Sequence, residues 1–142
     1  MFALRLRTVP AVLSFFLLLG ILDMALRFGL FPAVRTICNA GIAWGIALPA
    51  PALWFGVSLC LVIVILNACW ASSVGQRLAW MAIALGGGVN TADRLYHGCV
   101  ADYFHPLLFP SFNVADMMIF LGVLFLLVSV SGIFPKIKSY GG

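Results

Sequence analysis

Four long apolar runs dominate the chain, at residues 9–30, 52–70, 78–95 and 112–134. Their apolar side chains follow one another without the alternation of a half-buried strand or the stripe of a soluble helix. A run of ~20 such residues is the length of an α-helix that crosses a hydrocarbon layer. With 64% of its 142 residues hydrophobic and 8% charged, the chain has too little polar surface for a soluble domain of this size. The expected fold is an all-α membrane protein, a single four-span domain over residues 1–142 with no soluble module. The third run is the least apolar. Its uninterrupted stretch ends at Leu85, so it must continue through Gly86, Gly87 and Gly88 to about Leu95. That gives ~18 residues and ~27 Å, just enough to cross. Glycines there weaken the helix and let a neighbouring helix come close.

Between the runs, residues 31–51 are broken by Pro32, Gly41, Gly45, Pro49 and Pro51 and carry Arg35 and Asn39. This reads as a segment outside the membrane after the first span, with room for short strands. Residues 71–76 form a tight polar turn, and residues 96–111, rich in aromatics and prolines, form a second outer segment. A head carrying Arg5 and Arg7 before an apolar run also resembles a cleavable signal peptide. Asp23 and Arg27 interrupt the end of that run and no small-residue cleavage site follows, which favours an uncleaved first span.

Four spans put both termini on one side. With the termini in the cytoplasm, Arg5, Arg7, Arg77, Lys136 and Lys138 lie inside, and Arg27, Arg35 and Arg94 lie outside. That bias follows the positive-inside rule. The net charge of +4 is thereby a matter of topology, and no nucleic-acid partner is implied.

The acids constrain function most. There are four, Asp23, Asp93, Asp102 and Asp116, and no Glu. Carboxylates near lipid are costly, so those present are functional candidates. The four-span layout places Asp23 and Asp93 at the outer ends of the first and third spans. It puts Asp102 in the second outer segment, and Asp116 about one turn into the fourth span. All four gather at one membrane face. Asn90, Asp93 and Arg94 stand at i, i+3 and i+4 and share a helix face, as do Asn113 and Asp116 at i, i+3. An Arg beside a buried Asp neutralises charge and can hold a site rigid. The alternative is polar packing between helices with no chemistry.

The remaining reactive residues form no competing site. His97 and His105 match no metal-ligand spacing and lack a third nitrogen, so no metal or other cofactor is expected. Cys60 and Cys69 read as packing residues within a span. Cys38 and Cys99 both fall in outer segments. A bridge between them is weighed and not favoured, and the spacing fits no zinc pattern.

Three ordered segments resemble signal peptidase II, the prolipoprotein signal peptidase. They are Asn90-Thr91-Ala92-Asp93-Arg94, Gly98-Cys99-Val100-Ala101-Asp102-Tyr103 and Phe112-Asn113-Val114-Ala115-Asp116. The family shows N-x-x-D-R, G-x-V-x-D-F and F-N-x-A-D in that order. Asp23 followed by Arg27 resembles the family's Asp with a basic residue four positions on. Asn39-Ala40-Gly41-Ile42-Ala43-Trp44 resembles its N-x-G-x-A-F. The chain departs from the pattern in Arg27 for the usual Lys, in Trp44 and Tyr103 for Phe, and in Val89 for a frequent Gly. Its loop between Asp102 and Asp116 is also short. None of these changes removes a carboxylate.

The resemblance implies an aspartic endopeptidase of the bacterial inner membrane, with Asp102 and Asp116 as the catalytic pair. It implies supporting roles for Asn90, Asp93, Arg94 and Asn113, and substrate or structural roles for Asp23 and Asn39. The implied substrate is a prolipoprotein whose lipobox cysteine already carries diacylglycerol. The implied inhibitors are globomycin-type peptides. Two close carboxylates in a low-dielectric pocket share one proton, so one can activate water while the other protonates the leaving amine. A lipidated Cys and an apolar signal helix both partition into the bilayer, so a cut near the membrane surface suits them. Two rivals remain open. One is a catalytically altered paralogue acting as a membrane binding protein. The other is a carboxylate-based transporter, against which the acids gather at one end rather than along a path.

Overall fold

The computed structural model describes residues 2–27, 35–42 and 46–131; the side chains of residues 2–13 fall outside that description. Four helices and two short strands follow one another: α1 Phe2–Arg27, β1 Ile37–Asn39, α2 Ala50–Trp70, α3 Val74–His97, β2 Val100–Asp102 and α4 Val114–Val130. Trp44, Lys136 and Lys138 and the side chains of Arg5 and Arg7 lie outside the described residues.

Each visible helix end has a local cause. Pro51 stands in the first turn of α2, where a missing N–H costs no hydrogen bond. The Ser73 side chain caps α3 by accepting from the Gln76 N–H at 3.1 Å. Gly98 closes α3 in the left-handed region, φ 77°, and its N–H donates to the Arg94 carbonyl at 3.0 Å. Asn113 and Asp116 form a reciprocal capping box at the start of α4. The fourth apolar run therefore begins as helix at Val114, not at Phe112, because Phe112 pairs with Phe104 in an antiparallel bridge and Asn113 is spent on the cap.

α3 is the hub. It packs against α2, α4 and α1, and α1 also touches α4. The α3–α4 crossing is close at two glycines. A Cβ on Gly86 would lie 2.4 Å from the Ala115 carbonyl oxygen, and one on Gly122 would lie 2.7 Å from that of Ala79. Gly87 and Gly88 do not share this constraint, so the closeness expected of all three consecutive glycines belongs to Gly86.

The strands join the segment after α1 to the segment after α3. β1 and β2 pair antiparallel with Ile37 opposite Asp102, Cys38 opposite Ala101 and Asn39 opposite Val100. A disulfide links Cys38 to Cys99, with Cα atoms 5.5 Å apart across 61 residues of sequence. This corrects the reading of those cysteines as unbridged: pairing of distant segments brings them together, which spacing along the chain does not reveal.

Polarity is inverted relative to a soluble domain. Asp23, Asn90, Asp93, Asp102 and Asn113 are buried, whereas α2 buries none of its side chains and α1 and α4 expose Leu, Ile and Phe. Such an exposed apolar surface is one for lipid to cover. Among the described residues, α2 is the one helix long and apolar enough by itself to cross a membrane; α4 is apolar but shorter.

Candidate active site

The four carboxylates gather at the end of the bundle that carries the strands. Asp23 and Asp93 lie one turn before the ends of α1 and α3, Asp102 ends β2 and Asp116 lies in the first turn of α4. Two linked clusters result.

The first is ionic. Arg27, one turn after Asp23, donates to the Asp23 and Asp93 carboxylates and, at 2.9 Å, to Asn90 Oδ1. Its side chain is 4% exposed, and the two acids are as deeply placed. Asp23 also accepts from the Tyr103 hydroxyl at 2.6 Å and the Ala115 N–H at 3.3 Å. Tyr103 in turn accepts from the Val114 N–H at 2.9 Å, so Asp23 and Tyr103 together fasten α1 to the first turn of α4. Burial, and then the bond to Asp23, push the Tyr103 phenol up and keep it a donor. Asp93 accepts from the Ala101 N–H at 2.7 Å and meets His97 Nδ1 at 2.8 Å, which ties α3 to β2 next to Asp102.

The second cluster holds Asp102 and Asp116 with amides. Asp102 accepts from Asn39 Nδ2 and from Asn113 Nδ2, each at 3.0 Å. Asp116 accepts from Asn90 Nδ2 at 2.7 Å and from the Asn113 backbone N–H at 3.1 Å. Asn113 is fully buried, and one residue thus binds both carboxylates. Both donors of its amide are used, since Nδ2 also donates to Asn90 Oδ1 at 3.2 Å, and Oδ1 accepts from the Asp116 N–H at 2.9 Å. Burial, the largest cause, and the nearby Asp116 charge push the Asp102 carboxyl above its ordinary range, while the Asn39 and Asn113 bonds pull it back.

Arg94 is placed differently from the sequence expectation. Its Nη2 donates to the Gly41 carbonyl at 2.7 Å and its Nη1 to the Asn90 carbonyl at 3.3 Å. The guanidinium that pairs with Asp93 is that of Arg27, because Arg94 is the next residue on α3 and side chains one position apart do not face each other. Arg94 still lies near enough for its charge to act on Asp116 and Asp102, and its Nε is buried without a hydrogen-bond partner among the described residues. Gly41 itself is fixed by its N–H donating to Asn39 Oδ1 at 3.0 Å, so Arg94 and Asn39 support one loop.

All eight residues singled out in the sequence, Asp23, Asn39, Asn90, Asp93, Arg94, Asp102, Asn113 and Asp116, enter this network. Arg27 and Tyr103 are added to it. The i, i+4 spacing of Asp23 and Arg27 signals the former; Tyr103 carries no signal beyond its position after Asp102. His105 stands apart on the loop, between Ser111 Oγ and the Arg35 carbonyl at 2.9 Å each.

Comparison with known proteins finds relatives of this chain. The sequence model of the family described as signal peptidase (SPase) II matches residues 12–131. A lipoprotein signal peptidase of Moorella thermoacetica is 34% identical over 69% of this chain and 67% of its own length. One of Aquifex aeolicus is 31% identical over 72% and 68%, and one of Bacillus subtilis 33% identical over 65% and 64%. The chain thus spans about two thirds of the length of these relatives. A solved bacterial membrane enzyme superposes with a TM-score of 0.77 over 94% of this chain and 95% of its own, at 17% identity. A second gives 0.71 over 89% and 96%, also at 17%. Those two likenesses speak to the fold.

Proposed function

The chain belongs to the signal peptidase II family, the lipoprotein signal peptidases, and we propose that it cleaves by an aspartic mechanism with Asp102 and Asp116 as the paired carboxylates. The observation that carries this reading is the double grip of Asn113, whose side chain binds Asp102 and whose backbone binds Asp116.

Hydrolysis of a peptide bond by two carboxylates requires one ionised and one protonated partner. The environment favours that division. Asp102 is held by neutral amides, is buried, and feels the Asp116 charge, so its carboxyl is raised toward protonation. The ionised member of the pair takes a proton from water as the water attacks the scissile carbonyl. The protonated member hydrogen-bonds to that carbonyl and then protonates the leaving amine. The two titrate as one unit, and the roles belong to the pair. Asn39, Asn90 and Asn113 orient the carboxylates, and the Arg27 cluster locks the helices that carry them. Arg94 adds positive charge beside a site that gains negative charge in the transition state.

The substrate is a prolipoprotein bearing diacylglycerol on its lipobox cysteine, cut before that residue, and globomycin-type peptides compete with it. The enzyme sits in the bacterial inner membrane with four spans, both termini in the cytoplasm and the carboxylates near the outer face. The Cys38–Cys99 disulfide supports this orientation, since such bonds persist outside the reducing cytoplasm.

The test is cleavage by the purified protein in detergent. A diacylglyceryl-modified prolipoprotein should release its signal peptide, the unmodified precursor should be cut much more slowly, and a globomycin-type peptide should stop the reaction. Absence of cleavage of the modified substrate would reject the reading in favour of a binding protein.

A further inference from the structure

Asn39 reaches Asp102 from a weak element. β1 has three residues and, among the described residues, pairs with β2 alone, also of three. A two-stranded pairing this short is marginal alone. On one flank a pocket lined by Arg27, Thr36, Asp93 and His97 opens beside Cys38, Cys99 and Ala101. Noncovalently, Asn39 is held there by the ladder, by its bond to Asp102 and by the Gly41 N–H, while Asp93 holds Ala101 on the facing strand.

The disulfide crosses this weak point. It joins the residue before Asn39 to the residue before Val100, the partner of Asn39 in the ladder. Cys99 follows the Gly98 cap directly, so the bond ties β1 to the end of α3, the helix that carries Asn90 and Asp93. Asp93 also fixes the Ala101 N–H. The covalent path from the end of α3 to Asn39 therefore runs through Gly98, Cys99 and Cys38 alone.

We propose that the Cys38–Cys99 disulfide is a positioning element for catalysis, holding the Asn39 amide on the Asp102 carboxylate. The proposal rests on the reading of Asp102 as one of the reacting pair. Loss of the bond frees β1, and Asn39 no longer donates to Asp102 in every molecule. The Asn39 bond is one of the two that counter the effect of burial on Asp102, so its loss moves the carboxyl further up.

The experiment compares the parent with Cys38→Ala/Cys99→Ala, Asn39→Ala and the triple variant. Alkylation and intact-mass measurement of the folded parent come first and should find two blocked thiols, since Cys60 and Cys69 are free. The double variant should lose about tenfold or more in kcat/KM on a diacylglyceryl-modified prolipoprotein. Its pH profile should shift upward on the limb set by the carboxylate pair, as in Asn39→Ala. In the Asn39→Ala background, removing the cysteines should cost little more, because both changes break the same contact. Four reactive thiols in the parent, a parental kcat/KM and pH profile in the double variant, or additive losses in the triple variant would each overturn the proposal.

Should the double variant not fold, a dithiol added to the folded parent makes the same comparison; it converts the disulfide to two thiols and is itself oxidised to a disulfide. Amide exchange at residues 100–102 is read without substrate and separates this proposal from the function. It should quicken when the bond is broken even if the parent cleaves nothing, and unchanged exchange would contradict the proposal.

Discussion

Asp23 and Asp102 are both buried carboxylates, and their partners assign them different work. Asp23 is paired with the Arg27 guanidinium, and its charge is matched. Asp102 is held by two neutral amides and makes no direct ion pair among the described residues. Arg27→Gln leaves Asp23 and Asp93 facing each other without their cation. Breaking a buried pair in this way costs about 3–5 kcal/mol, so thermal unfolding in detergent should show a large drop. Asp102→Asn strands no charge and should unfold much closer to the parent. The sign of its pH dependence follows from the raised carboxyl. A group whose folded value lies above its unfolded 3.8 stabilises the fold when protonated, and that contribution is lost as pH rises through the folded value. Asp102→Asn should therefore gain stability relative to the parent as pH is raised across that window, and a gain on lowering the pH would contradict the assignment. The sequence shows the acids and their amide neighbours but not this division. Asp93 was legible as an ion-pair member, while its partner was not. Arg94 is its neighbour in sequence, and only the packed bundle reveals that the end of α1 brings Arg27 closer.

Among the elements, α3 and α4 carry the site between them, and their approach depends on single glycines. Gly86 has no room for a Cβ against the Ala115 carbonyl, and Ala115 precedes Asp116. Gly86→Ala forces the first turn of α4 away from α3 and should cost about 1–3 kcal/mol, lengthening the Asn90–Asp116 bond and lowering kcat/KM. Gly88→Ala meets nothing within 4 Å. It should be tolerated or gain about 0.5–1 kcal/mol from helix propensity. Equal losses in both, read by thermal unfolding and turnover, would remove the close crossing from the account. Helix existence was legible from apolar runs, but α3 starts at Val74, inside the segment 71–76 read as a turn and ahead of the apolar run, because the Ser73 side chain caps it there. The start of α4 was displaced by two residues because a capping box and a bridge compete for Asn113 and Phe112. The strands were allowed by the composition of residues 31–51, yet their partner came from the segment after α3. Local pattern does not encode that pairing, and for the same reason the disulfide was missed.

At the scale of the molecule, apolar side chains face outward and polar ones converge at one end. That inversion was legible at once, because lipid-facing runs and a few isolated acids leave no other arrangement for the polar groups. It brings Asp102 and Asp116 together from a strand and a helix that share Asn113. Their joint action is best tested through kcat/KM for a diacylglyceryl-modified prolipoprotein in Asp102→Asn, Asp116→Asn and the double variant, each confirmed folded. If they act as a pair, each single change costs about 10³-fold or more, and the double variant is no worse than either single. Near-parental turnover in either single variant would contradict the account.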